Sequence, residues 1–278
     1  MNETIISIVQ KYDLKDCVEI YGKAFERNEP RLLKETLNFW NGLLSENLAV
    51  FFKIESSGQL AGTGALILHN QTASIAFLSI LPDYRGKGLG NKLFHYILKT
   101  AGEKKYKRVE LFASRQGKSM YRKAGFTAAE EYSRFTLTDR NKQVDTSNCR
   151  LNTIFEDWML DLDLKATGTG RSSYLKYYLS KNGRIISYRN DGFGVISNNT
   201  IGPVISLSGT SALKIISKAR SLGANKIISP ASGKQYQILS EYFLLETPSA
   251  EKLPWMSNSE ERVRCPDFIY ALGSFASG

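Results

Sequence analysis

One stretch constrains the fold of this chain more than any other: Ile75-Ala-Phe-Leu-Ser-Ile-Leu81-Pro-Asp-Tyr-Arg85-Gly-Lys-Gly88-Leu-Gly90-Asn-Lys-Leu-Phe-His95-Tyr-Ile-Leu. An apolar run stops at Pro82, a glycine-rich turn follows, and a helical pattern begins at once. Leu89, Leu93, Tyr96 and Ile97 recur at helical spacing, with Asn91, Lys92 and Lys99 between them. The physical reading is strand, tight turn, helix N-terminus. Backbone N–H groups at such a terminus have no intrahelical acceptor, and the helix dipole adds partial positive charge. Glycines at 86, 88 and 90 let a bulky group approach the backbone closely. With Arg85 and Lys87 adding full charges, the turn suits a phosphate, above all a diphosphate.

A chain of 278 residues exceeds the usual single-domain length, so two domains are expected. Its hydrophobic fraction of 42% suffices for a substantial core. No apolar run approaches the roughly 20 residues of a membrane span. The first residues show no basic segment leading into a long apolar one, so a secretory leader is not expected and a cytoplasmic location is. Cys17, Cys149 and Cys265 are odd in number and widely spaced, which reads as reduced thiols and not as a metal or disulfide set. The net charge of +10 favours either a solvated basic surface or polyanionic partners. The basic residues are scattered without interleaved aromatics, which weakens a nucleic-acid reading.

Taken in order, residues 4–12 read as a strand and Asp13 as the cap of a helix carrying Leu14, Cys17, Val18, Tyr21 and Phe25. A second helix is expected over 31–44. Its Phe39 and Trp40 read as core, with a substrate wall as the alternative. Residues 48–55 and 59–69 form a hairpin around Ser56-Ser57-Gly58. After the glycine turn and its helix come a strand at 107–114, a short helix from 117 to 123, and a strand at 132–138. Hairpin-linked strands are antiparallel, whereas a helical crossover makes the strands on either side of the glycine turn parallel. The expected class is α/β with a mixed (α+β) sheet, its ligand at the carboxyl ends of strands.

Residues 139–152 are polar and unpatterned, a natural linker. The second half then echoes the first: a helix around 212–220, a strand at 226–229, and a short helix opening at Gly233-Lys234. Before that helix, Ile201-Gly-Pro-Val-Ile-Ser-Leu-Ser-Gly209-Thr has a single glycine at the turn and no arginine, a poor diphosphate cradle.

The glycine spacing excludes two cofactor motifs. No hydroxyl follows in the register of a nucleotide P-loop, and glycines spaced two and two do not make a dinucleotide fingerprint. What does match is Arg/Gln-x-x-Gly-x-Gly/Ala, as Arg85, Gly88 and Gly90. About thirty residues on stands Tyr121-Arg-Lys-Ala-Gly125-Phe126. With these two anchors the chain resembles the GNAT superfamily of acyl-CoA N-acyltransferases, most clearly over residues 60–137. The second half resembles the degenerate C-terminal GNAT-like domain of tandem members, through Asp163, Gly168 and Arg171 and through Gly194, Gly202 and Pro203. Asp163 and Arg171 also read as a structural ion pair. The resemblance implies two GNAT-like domains in tandem: a catalytic domain at 1–138, a linker at 139–152, and a degenerate domain at 153–278.

The resemblance further implies that acetyl-CoA is the cosubstrate and that no metal is used. Backbone N–H groups across Arg85, Gly86, Lys87, Gly88, Leu89 and Gly90 would take the CoA diphosphate. The backbone of Leu78, Ser79 and Ile80 would pair with the pantetheine arm. Ser114 stands where the family often has an asparagine near the cofactor. Lys87, Lys92, Lys118 and Arg122 are candidates for the phosphates. Tyr121 would protonate the departing thiolate as a neutral amine attacks the thioester directly, with backbone donors holding the oxyanion. The general base is open: Glu110 is either that base or a solvated strand residue, a water chain could serve instead, and His69 and His95 look incidental. No nucleophile elbow or Cys/His pair suggests a covalent mechanism. The expected partner is a small-molecule or peptide amine, with no membrane or nucleic acid. The alternative is a non-catalytic acyl-CoA-binding or nucleic-acid-associated protein.

Overall fold

The computed structural model describes residues 3–140, 142–181, 183–248, 251–259 and 264–276. The chain divides into two compact units, residues 1–111 and 112–278. The division falls ahead of the expected linker because the strand spanning Thr127–Asp139 shares its ladders with strands of the second half.

The first unit runs β1 (Thr4–Ile8), α1 (Leu14–Ala24), α2 (Pro30–Ser45), β2 (Ala49–Ser56), β3 (Gln59–Leu68), β4 (Thr72–Ile80), α3 (Leu89–Glu103) and β5 (Arg108–Phe112). Its strands lie in sequence order, antiparallel except for the parallel pair β4 and β5. Pro30 opens α2, where its missing N–H costs nothing. The β2–β3 hairpin turns on Ser57 and Gly58, both at positive φ as a tight two-residue turn requires. Helices cover opposite faces of the sheet. Thr63 of β3 lies beside Cys17 of α1, whereas a side chain at the next residue, Gly64, would run into Ile97 of α3. Leu93, Phe94 and Ile97 seal the α3 side; Leu14, Cys17, Trp40 and Phe51 fill the other. Truncating one such side chain, as in Leu93→Ala, costs about 2–5 kcal/mol.

The second unit continues with α4 (Lys118–Lys123), β6 (Thr127–Asp139), β7 (Cys149–Asn152), α5 (Asp157–Thr167), α6 (Ser172–Ser180), β8 (Gly183–Tyr188), β9 (Gly192–Ser197) and β10 (Thr200–Ser206). It closes with α7 (Gly209–Ser221), β11 (Lys226–Pro230), α8 (Gly233–Tyr242), β12 (Phe243–Glu246), β13 (Leu253–Ser257) and β14 (Ile269–Ala271). The strand order is β13-β6-β11-β10-β9-β8-β7, with β12 also on β6 and β14 on β10. Alternation along β9 separates two cores. Phe193 and Val195 pack with Met159 and Leu175 of α5 and α6, while Gly194 makes room for Ile215 of α7.

The echo between halves has a structural counterpart. β4, α3, β5, α4 in the first order is matched by β10, α7, β11, α8, and both strand pairs are parallel. The polar stretch expected as linker is not wholly irregular, because its end forms β7 against β8, with Leu151 opposite Ile186. Asp163 and Arg171 form the ion pair: Nη2 lies 2.7 Å from Oδ1 and Nε donates to Oδ2 at 2.9 Å, both side chains being buried.

Candidate active site

Gly88 sits at the N-cap of α3 with φ 77° and ψ 0°, and Gly86 has φ 75°. A Cβ at either would meet nothing within 4 Å, so glycine is there for backbone conformation, and the outer face of the turn is open. Among the described residues, none accepts a hydrogen bond from the N–H groups of Gly86, Lys87, Gly88, Leu89, Gly90 or Asn91. The first helical bond runs from Lys92 N–H to Gly88 O at 3.1 Å. No side chain caps the helix and no acidic residue stands in its first turn. Six donors thus converge at the positive end of a four-turn helix, an arrangement that favours an anion.

The flanking cations do not point their charge where the sequence suggested. Arg85 Nε donates to Ile80 O (3.0 Å) and its Nη2 to Ala24 O (2.9 Å), so the guanidinium braces the turn against β4 and the end of α1. Lys87 Nζ donates to Asp83 O at 2.9 Å, and Lys92 Nζ to Thr4 Oγ1 at 3.3 Å. The backbone supplies the open donors, and these side chains hold its shape or lie beside it.

Leu78, Ser79 and Ile80 end β4 immediately before this turn. The parallel ladder to β5 stops at the Ile75–Leu111 pair, while β4 stays on β3 through Ile80. Between them the β3–β4 register shifts, and Phe77 takes a left-handed conformation with φ 56°. For a bulky aromatic this stores roughly 1–3 kcal/mol of strain. The shift leaves the β5-facing edge of Ala76–Ile80 without a ladder among the described residues, so backbone groups are available to an extended ligand. Phe77 went unnoticed in the sequence, where an aromatic inside a strand looks ordinary. Its ring lies 4.8 Å from Trp40 and edge-on to Tyr21 at 5.7 Å.

Tyr121 and Ser114 belong to the second unit. Tyr121 is buried on α4, and burial pushes its phenol well above the ordinary tyrosine range, so it holds its proton. Its ring lies over Gly117, where an added Cβ would be 2.7 Å from Cε2. Ser114 Oγ accepts the Gly117 N–H at 3.4 Å, fixing the turn before α4. Lys118 Nζ lies 3.8 Å from Glu131.

Glu110 is not solvated. It is buried in the first unit, where Ser74 Oγ donates to Oε1 at 3.3 Å and Arg108 Nε lies 3.6 Å from Oε2. His69 Nε2 is 3.5 Å from the same serine oxygen, which makes His69 part of a buried polar cluster. His95 lies along α3, its Nδ1 3.0 Å from Asn91 O. Among the described residues no cluster of three or more His, Cys, Asp or Glu could hold a metal ion, and no helix is long and apolar enough to cross a membrane.

Residues 14–126 match the family model described as "Acetyltransferase (GNAT) family". This stretch is a GNAT acetyltransferase domain. An uncharacterized N-acetyltransferase of Bacillus subtilis, YitH, is 26% identical over 174 residues, covering 58% of this chain and 61% of that protein. The chain therefore spans about six tenths of that relative's length. A crystal structure of a candidate acetyltransferase from Pyrococcus horikoshii superposes over 99% of this chain and 96% of its own, with 25% identity and a TM-score of 0.86. A tandem GNAT protein of the clavulanic acid biosynthesis pathway shares the fold, with a TM-score of 0.60, 13% identity, and coverage of 92% of this chain and 98% of its own. GNAT enzymes use acetyl-CoA, which carries a diphosphate and an amide-bearing pantetheine arm. The open N–H row and the open β4 edge of this GNAT domain offer the groups that such a molecule needs.

Proposed function

We propose that this chain is an acetyl-CoA-dependent N-acetyltransferase that moves an acetyl group to a primary amine by direct attack. The observation that carries the reading is the row of six backbone donors from Gly86 to Asn91, standing beside the unpaired edge of β4. When bound, acetyl-CoA supplies the activated acyl group as a thioester. Gly86 through Gly90 hold its diphosphate, and Arg85 keeps that turn in shape. The edge at Leu78, Ser79 and Ile80 aligns the pantetheine arm, and backbone donors there stabilise the oxyanion that develops on the carbonyl. As the new N–C bond forms and the C–S bond breaks, Tyr121 gives its phenolic proton to the leaving sulfur. Burial that keeps this phenol protonated suits a general acid.

In this reading residues 1–138 are the catalytic domain by descent, 139–152 the connection, and 153–278 a degenerate GNAT-like domain. The second-half counterpart of the cradle supports one cofactor per chain. At the start of α7, Ser208 Oγ accepts the Ser211 N–H at 3.2 Å, closing a donor that the α3 terminus leaves open. The direct test is release of free CoA with a panel of primary amines, run with the wild type and with Tyr121→Phe. Thiol release with at least one amine, abolished in the variant while acetyl-CoA still binds, is the expected result. Binding of CoA with no thiol release from any amine would overturn it.

A further inference from the structure

A groove of about 650 Å³ lies in the second unit, where the start of β7 and the end of β8 meet the first turn of α5. Its volume falls within the range of small-molecule sites. Arg150, Arg189, Glu156, Trp158 and Ser187 line it among others. Arg150 stands directly opposite Ser187 in the β7–β8 ladder, and Arg189 follows Ser187 by two residues. Diagonal neighbours on a sheet are roughly 7–8 Å apart, so both long side chains can reach one small anion.

Three observations mark the groove as a place for a ligand. First, its cations are left open. Arg150 has no hydrogen bond or ion pair among the described residues, and Arg189 lies over the Tyr188 ring with Cζ 5.3 Å from the centroid. Glu156, the carboxylate on the same wall, pairs with neither; its Oε2 accepts Trp158 Nε1–H at 2.9 Å. Second, Arg189 holds a left-handed backbone, φ 50°, in the turn after β8, where glycine or asparagine would be less strained. Third, Ser187 is buried where it lines the groove. Its Oγ accepts from Asn152 Nδ2 at 2.9 Å, and its own proton has no acceptor among the described residues.

Charge and shape set the ligand class. Two guanidinium groups against one carboxylate leave the groove positive. A guanidinium presents paired N–H donors that match phosphate oxygens, and two of them balance the dianion of a phosphate monoester. The bond to Glu156 fixes the Trp158 indole on the wall, where its apolar surface suits a flat ring. We propose that this groove binds a phosphate monoester carried on a planar ring. The phosphate meets Arg150, Arg189 and the Ser187 hydroxyl, and the ring lies against Trp158. A mononucleotide and a phosphorylated pyridine share that chemistry. The proposal concerns the second unit alone and stands whether or not the chain transfers acetyl groups.

Calorimetric titration of the full chain tests it, with AMP, adenosine, pyridoxine 5′-phosphate, pyridoxine and ribose 5-phosphate as probes. AMP or pyridoxine 5′-phosphate should bind at least about tenfold tighter than its own dephosphorylated form and than ribose 5-phosphate. Which of the two does so identifies the carrier. Arg150→Gln and Arg189→Gln, both at exposed positions, should each weaken that ligand about tenfold and leave acetyl-CoA affinity within about twofold. Trp158→Leu should remove most of the margin over ribose 5-phosphate. If that variant does not fold, the comparison of the ring-bearing ligand with ribose 5-phosphate on the wild type still decides the role of the ring. Ring phosphates that bind no tighter than their bare rings, or no tighter than ribose 5-phosphate, overturn the proposal. Binding that survives unchanged in the double variant Arg150→Gln with Arg189→Gln overturns it too. So does weakened acetyl-CoA binding in the arginine variants, which would assign the groove to the cosubstrate instead.

Discussion

Gly88→Ala and Gly58→Ala form a matched pair that isolates what the glycine turn does. Both residues sit at left-handed φ, 77° and 74°, and at both an added Cβ meets nothing within 4 Å. Neither substitution clashes, so each pays only the left-handed penalty of roughly 1–2 kcal/mol. Both variants should melt a few degrees below wild type, by about the same amount. Their effects on acetyl-CoA should differ sharply. At Gly58 the methyl group points into solvent at a hairpin tip. Gly88 is the N-cap amid the open donors of Gly86 to Asn91, so a methyl group or a shifted turn there is expected to hold a phosphate oxygen beyond the ~2.8 Å that a charge-assisted bond needs. Losing one such bond, worth about 1.5–3 kcal/mol, lowers affinity roughly 10- to 100-fold. Calorimetric titration with acetyl-CoA, paired with thermal melts, reads both quantities. Equal acetyl-CoA affinity in the two variants would refute the claim that this backbone face binds the diphosphate.

Three further outcomes follow from the same geometry. Tyr121→Phe should lower kcat about 100-fold or more while leaving acetyl-CoA affinity within about twofold, checked by steady-state CoA release and calorimetry. Asp163→Ala removes the carboxylate paired with the buried Arg171 guanidinium in the second unit and should cost about 3–5 kcal/mol, read by urea unfolding. Burial pushes the Cys17 thiol from 9.0 up to about 11, so the unfolded chain ionises first as pH rises. Its contribution is therefore complete below pH 9 and is lost between about pH 9 and 11, roughly 2–3 kcal/mol in all, and Cys17→Ala should show a correspondingly shallower alkaline loss in pH-dependent melts.

What the sequence made legible was local. The α3 register, the turn glycines and the Ser57–Gly58 hairpin follow from helical period and from residues that tolerate positive φ, which neighbours in sequence decide. Strand ends were less legible because distant partners set them. β5 ends at Phe112, short of the expected 114, where Ala113 N–H turns to Pro254 O. β6 begins at Thr127 and not at 132 because β13 pairs with its start. β7 was invisible, since its four residues gain strand character only from β8. In the site, the donor row could be read from glycine spacing, but the direction of Arg85 could not. A cation next to a phosphate cradle suggests a salt bridge, and only the fold brings Ala24 O within 2.9 Å of it. Phe77 was illegible for a different reason: nothing in its chemistry favours a left-handed backbone, and packing against Tyr21 and Trp40 holds it there.

The two parallel crossovers of this chain show how little must change for one helix terminus to suit an anion and another not to. α3 and α7 both follow a strand and precede its parallel neighbour, so their first turns occupy corresponding places in their units. At α3 the cap is a glycine with no side chain, and six N–H groups have no acceptor among the described residues. At α7 the cap is Ser208, extended and bonded to the Ser211 N–H, and Ser211 Oγ in turn accepts from Ser208 Oγ at 3.0 Å. A serine cap stabilises its helix by about 1 kcal/mol where it stands, with no ligand required. The glycine cap forgoes that stabilisation and leaves its donors open. Because the donors in α3 are backbone groups, their number and direction are set by the turn's conformation, and the side chains of Arg85 and Lys87 act on the site chiefly by holding that conformation. Binding strength at the α3 terminus should then follow the φ angles of Gly86 and Gly88 more closely than the local count of positive charges.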